Sequence, residues 1–195
     1  MTFIQLWFTG YANPARFAER LRDKPAPLWG LYATLLRGAL DSLLLYLPVH
    51  LLGRSPLPPS YITLLPTQGY YATLVWVAPL FFLLQWLAGA GVMHITLRAL
   101  RRPSDIDQLL NLTGFATLVV GAFLLAWDWA WIWIGGMDYI TLGLSHLAAD
   151  AWWWVLVVVG LKRLLNTPAW LALLLNALGF AISLPLAMLF MRSPL

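Results

Sequence analysis

The chain has 195 residues, of which 61% are hydrophobic and only 10% charged, where a soluble domain carries about 25% charged residues. With a mean hydropathy of +0.75, a soluble fold of this size would leave too much apolar surface in water, which excludes a soluble enzyme or a nucleic-acid-binding domain. There is no cysteine and the net charge is +4, so disulfides, zinc ribbons and thiol nucleophiles are excluded, and the basic balance needs a source other than nucleic acid.

These bounds predict an all-α, polytopic transmembrane helical bundle preceded by a short cytoplasmic segment, residues 1–27. The opening Met1–Gly10 lacks a basic leader region, so no cleavable signal is expected. Asn13 and Pro14 then form a cap and first turn. Phe17 and Leu21 share one face of the helix they start, and Arg16, Arg20 and Lys24 share another. This amphipathic helix is expected to lie on the inner membrane surface, with packing beneath the bundle as the alternative.

Residues 28–195 contain five stretches long and apolar enough to cross about 30 Å of hydrocarbon. They lie near Leu28–Leu52, Tyr70–Leu97, Leu109–Ile134, Gly143–Leu161 and Pro168–Phe190. Pro79 and Pro185 fall inside spans and are expected to kink them. Ser104, three residues before Asp107, is expected to cap the third helix, and Thr167-Pro168 to open the fifth. Gly53–Gly69 holds four of the thirteen prolines and reads as an ordered outer cap.

Lysine and arginine sort between the connections. Arg16, Arg20, Arg22 and Lys24 precede the first span. Arg98, Arg101 and Arg102 follow the second, and Lys162 and Arg163 follow the fourth. The alternate side carries only Arg54 and Arg192. The positive-inside rule then puts the N-terminus in the cytoplasm and the C-terminus outside. It also sets Arg16, Arg20, Arg98, Arg101 and Arg102 against lipid head groups or partner proteins.

Phosphate loops, HExxH and a nucleophile elbow are missing from the sequence. Asn111-Leu112-Thr113 matches a glycosylation sequon but falls on the cytoplasmic side. The informative residues are charges inside the hydrocarbon, which are costly there and face the bundle interior. Arg37 and Asp41 stand one turn apart in the first span. They read either as an ion, proton or lipid-phosphate site, or as a neutralised pair with Arg37 reaching for the inner surface. The topology gathers His50, Asp128, Asp138, His146 and Asp150 at the outer end, where imidazole and carboxylate together suit a divalent cation or a proton. His94 reads as a hydrogen-bonded packing residue. Trp127, Trp129, Trp131 and Trp133 read mainly as an interfacial belt. Thr113, Thr117 and Gly121, and Gly89 with Gly91, offer small-residue faces for close helix contact, within the bundle or between copies.

The order of these features resembles the Yip family (Ypt-interacting proteins), especially its short bacterial members. The resemblance rests on Asn13-Pro14 with Phe17 and a basic helix before the first span. It continues through Gly89-Ala90-Gly91 with His94, a basic turn, Leu109-Leu110-Asn111 and Gly114-Phe115-Ala116. It ends with Trp154-Val155-Leu156 running through Gly160-Leu161 to Ala169. It implies a five-span, N-inside, non-enzymatic membrane protein that needs no cofactor. Eukaryotic members associate with Rab-type GTPases and with one another. This chain lacks their long N-terminal region and Asp-Leu-Tyr-Gly-Pro motif, and carries Thr117 where many members have proline. Those departures weigh against GTPase binding.

The leading expectation is therefore a membrane organiser or adaptor that binds lipids and partner membrane proteins, or itself. The compact length and absent cysteine point to a bacterial plasma membrane. The alternative is a small proton or cation transporter built on Arg37, Asp41 and the outer His/Asp set. A third reading is a lipid-acting enzyme with His146 as base and Asp150 orienting it.

Overall fold

The computed structural model describes residues 2–24, 26–56, 64–134 and 139–190. All regular structure among them is helical: α1 (Phe3–Ala12), α2 (Pro14–Arg22), α3 (Leu28–Asp41), a π-helical turn (Ser42–Tyr46), α4 (Leu47–Leu51), α5 (Tyr70–Ala99), α6 (Ile106–Ile134), α7 (Tyr139–Leu164) and α8 (Ala169–Phe190). Four helices, α5 to α8, are long and apolar enough to cross a membrane. Their bounds fall within a few residues of the expected spans.

The first expected span is built differently. α3 alone has 14 residues, about 21 Å of helix. The helical backbone nevertheless continues to Leu51 through the π turn, where the Leu47 N–H donates to the Ser42 carbonyl. Pro48 supplies the reason. It has no N–H to give the Leu44 carbonyl one turn back, so regular α geometry there would leave that oxygen unpaired. The Trp129 indole of α6 donates to it instead, at 2.6 Å.

Local chemistry sets the other ends. Thr2 and Gln5 form a reciprocal capping box on α1, and the Asn13 side chain caps α2 ahead of Pro14. α6 is capped by Asp105, whose Oδ1 accepts from the Asp107 and Gln108 amides at 2.9 and 3.2 Å. The expected cap, Ser104, is engaged elsewhere, bonded to His94 Nδ1 at 2.8 Å. That bond ties α5 to the loop, which bears out the packing role read for His94. The α5 terminus closes on Arg101 at φ 54°, with Arg102 N donating to Leu97 O at 2.9 Å.

α6 is the axis of the bundle. In its most apolar stretch 72% of residues are buried, against 28–33% in α5, α7 and α8. It packs on α3, α5 and α7, while α8 closes the ring against α5 and α7. The tightest crossing is with α3. A Cβ on Gly30 would run into the backbone of Leu110 and Asn111, and one on Gly114 into the backbone of Gly30. Only glycine permits that approach. Asn111, fully buried, completes it: its Oδ1 accepts from Gly30 N at 2.8 Å, and its Nδ2 donates to the Lys24 and Ala26 carbonyls, both at 2.7 Å. Pro27 provides no side-chain cap to α3, so a residue of another helix caps it. The same burial seals the sequon. Of the other small residues, Gly121 lies in the bundle, whereas Gly91 faces open space.

α1 and α2 form a hairpin against α6 and α7, the alternative arrangement of the two anticipated for this segment. Phe17, Ala18 and Leu21 are fully buried, and the Phe3 and Phe17 rings meet Phe115 at 4.8 and 6.1 Å. Lipid would offer these side chains an equally apolar home, so burial alone does not choose the bundle. Polar ties to α7 choose it, Arg22 Nη2 to the Arg163 carbonyl at 2.7 Å and Trp152 Nε1 to the Gly10 carbonyl at 3.2 Å, while Arg20 Nη1 to Thr9 Oγ1 at 2.6 Å closes the hairpin itself.

Two buried asparagines make opposite predictions. Asn111→Ala strips three hydrogen bonds and is expected to lower stability by about 1–3 kcal/mol. Asn176 in α8 is fully buried, and its amide has no hydrogen-bond partner among the described residues. Asn176→Leu should therefore leave stability unchanged or raise it by about 1 kcal/mol. Thermal unfolding of the solubilised protein, followed by tryptophan fluorescence, checks both; equal losses would contradict the assignment.

Candidate functional site

The fully or nearly buried charges, Arg37, Asp41 and Asp128, lie on the two helices that cross most closely, α3 and α6. Arg37 and Asp41 lie one turn apart on α3, 8% and 2% exposed. Arg37 Nη1 donates to Asp41 Oδ1 and, across the helix crossing, to the Gly121 carbonyl of α6 at 2.6 Å. Its guanidinium carbon sits 5.1 Å from the centre of the Phe82 ring. The side chain lies over Gly121, where any Cβ would overlap the guanidinium. Arg37 thus turns sideways into α6 instead of reaching for the inner surface, and it is satisfied by a carboxylate, a carbonyl and an aromatic face.

The C-terminal half of α6 and the N-terminal half of α7 are joined by two adjacent rungs. Trp127 Nε1 donates to Ser145 Oγ at 2.7 Å, and His146 Nε2 meets Asp128 Oδ1 at 2.7 Å. Asp128 is 5% exposed. The site thus holds two close pairs, Arg37 with Asp41 and His146 with Asp128.

A cavity of about 280 Å³ opens beside these pairs, between α5, α6, α7 and α8. Arg37, His146 and Asp150 provide its charged wall, and Phe82, Trp86 and Trp153 part of its apolar one. Asp150 makes no hydrogen bond or ion pair with the described residues. The arrangement suits holding charge, and passing a proton between His146 and a carboxylate.

The expected cation set does not assemble as a whole. His50 is exposed on α4, next to the inward-facing Val49. Among the described residues no three His, Asp or Glu side chains are grouped as a metal ion requires. Asp138 lies outside the described residues.

Of the basic residues, Arg16, Arg98, Arg101 and Arg102 are exposed, while Arg20 is tied to Thr9. Arg98, Arg101 and Arg102 stand at the end of the bundle that also holds Arg22, Lys162 and Arg163. Sequence reasoning missed the structural roles of Asn111, Pro48 and Trp129. A polar residue amid the apolar run 109–126 was the available signal for Asn111.

A bundle of long apolar helices with its charges paired inside defines a multi-pass α-helical membrane protein. Residues 10–191 match the Yip1 domain, and the chain belongs to the Yip family. No curated protein and no solved structure matches it.

The pairing at the site is testable by a double-mutant cycle. Arg37→Met strands a buried carboxylate and is expected to cost about 3–5 kcal/mol. The double variant Arg37→Met/Asp41→Leu removes both charges and should recover more than half of that loss. Additive losses in the unfolding free energy would show that the two side chains act independently.

Proposed function

We propose that the chain is a membrane organiser or adaptor, which binds lipids and partner membrane proteins without catalysing a reaction or holding a cofactor. The observation that carries this reading is a set of charges left over by the fold. Arg98, Arg101 and Arg102 are exposed at one end of the bundle and make no side-chain hydrogen bond or ion pair with the described residues. Arg16 is likewise exposed. Cations that no internal partner uses, lying where helices leave the hydrocarbon, suit anionic head groups or acidic protein surfaces.

In this reading the helical run from 28 to 51, about 36 Å long, is the fifth crossing. The basic end lies in the cytoplasm, the C-terminus lies outside, and the membrane is a bacterial plasma membrane. The outward face of α8, with Leu174, Leu178 and Ile182 exposed, is available to lipid, a partner helix or a second copy. A GTPase is not required.

A second reading is favoured by Asp150. A carboxylate with no hydrogen-bond or ion-pair partner among the described residues, on the wall of a cavity shared with Arg37 and His146, suits proton or cation passage. Flux in proteoliposomes that is abolished by Asp150→Asn and Asp41→Asn would favour transport; absent or indifferent flux would remove it.

The chain has no cysteine, so single introduced thiols report orientation without background. Arg54→Cys is expected to react with an impermeant maleimide on intact cells, and Arg101→Cys only after permeabilisation. The reverse pattern would overturn the orientation. In a correctly inserted protein, replacing Arg98, Arg101 and Arg102 with glutamine should lower retention of anionic lipid in native mass spectrometry. Unchanged lipid and partner retention would overturn the organiser reading.

A further inference from the structure

At the basic end, α1 and α2 leave between them an open groove of about 720 Å³. Its two walls differ in character. Ile4 and Phe8, one turn apart on α1, are 60% and 64% exposed. Facing them, the end of α2 and the residues after it contribute Arg20, Asp23 and Lys24.

The two cations are held in place before any ligand arrives. Arg20 is fixed by its bond to Thr9 Oγ1 at 2.6 Å, which leaves further guanidinium N–H groups to donate. The Lys24 ammonium rests 4.4 Å from the centre of the Trp29 ring, and the Lys24 carbonyl is anchored by Asn111. Asp23 is exposed and makes no side-chain hydrogen bond or ion pair with the described residues. The bond from Arg22 to the Arg163 carbonyl sets the groove level with the last turn of α7, where head groups meet the chain ends of the spans.

Three ligand chemistries can be weighed against these walls. A soluble anion would leave Ile4 and Phe8 uncovered. A phospholipid with an anionic head would bring its negative charge against Asp23. A zwitterionic head with a primary ammonium matches every group. Its phosphate meets Arg20 and Lys24, its ammonium donates to Asp23, and an acyl chain covers Ile4 and Phe8.

We propose that the groove between α1 and α2 is a binding site for one phospholipid with a phosphoethanolamine head. The site deepens the lipid-binding reading above and rests on it.

The test is native mass spectrometry of the full chain equilibrated with equal amounts of phosphatidylethanolamine, phosphatidylcholine and phosphatidylglycerol. The unaltered chain should retain one phosphatidylethanolamine in preference to the other two. Asp23→Asn should lower that occupancy about tenfold, the effect of losing one charge-assisted hydrogen bond, and shift the preference to phosphatidylglycerol. Phe8→Ser should lower retention of all three, and free phosphoethanolamine should not displace the bound lipid. Equal retention of the three lipids by the unaltered chain, or an Asp23→Asn variant with unchanged preference, would overturn the site. The Arg98, Arg101 and Arg102 glutamine variant separates the two readings. It should lose loosely held anionic lipid and keep the single phosphatidylethanolamine; loss of that lipid as well would overturn a separate groove site. Failure of Asp23→Asn alone leaves the organiser reading standing.

Discussion

Where α3 crosses α6, Gly30 and Gly114 bring the two backbones into contact with no side chain between them, and that crossing sets the register of the remaining contacts. Seven residues further along both helices, Arg37 lies over Gly121 and donates to its carbonyl. About seven residues further again, the Leu44 carbonyl meets Trp129. Two parallel helices that touch every seven residues follow the geometry of a supercoiled pair. A larger residue at either glycine would push the helices apart, and Asn111 would then lose Gly30. The contact depends on the absence of side chains, yet it positions the buried arginine and the cap of its helix.

A second constraint is the scarcity of water inside the bundle. Backbone oxygens that a helix cannot satisfy need protein donors there. Two indoles meet part of that need, Trp129 serving Leu44 and Trp152 serving Gly10, while Trp86 adds a bond to the Leu110 carbonyl within α6 at 2.8 Å. A tryptophan N–H carries no charge and projects from a large apolar body, so it reaches a neighbouring helix without the desolvation penalty of an ion. Several of the twelve tryptophans are therefore ties between helices. Trp133, 83% exposed, better fits the belt anticipated from sequence.

Long apolar runs fixed α5 to α8 in advance, because a twenty-residue hydrophobic stretch has few alternatives to a buried or spanning helix. Asn13-Pro14 also announced its helix correctly, since a cap is a local interaction. What was illegible depended on partners remote in the chain. Asp105 displaced Ser104 as a cap because Ser104 is bound to a histidine of the preceding helix. Phe17 and Leu21 would suit lipid as well as protein, and only ties such as Arg22 to Arg163 decide between them. Arg37 and Asp41 were visible as a pair, but Gly121, the residue that accommodates the arginine, looked like one more small residue. His50 was grouped with the outer carboxylates by depth alone; depth does not fix the face of a helix.

The cap supplied by Asn111 also has a meaning in time. It lies 81 residues beyond the amide it satisfies, so during synthesis α3 emerges with its first turn unfinished. At about 5–20 residues per second the missing side chain follows roughly 4–16 seconds later. Until then the nascent α3 carries unmet backbone donors at one end and a charged pair with no α6 to lie against. Its first turn must stay in contact with water, head groups or the insertion machinery through that interval. Arrival of α6 then completes both at once, so the first helical run of the bundle is finished only when the third long hydrophobic segment has been made.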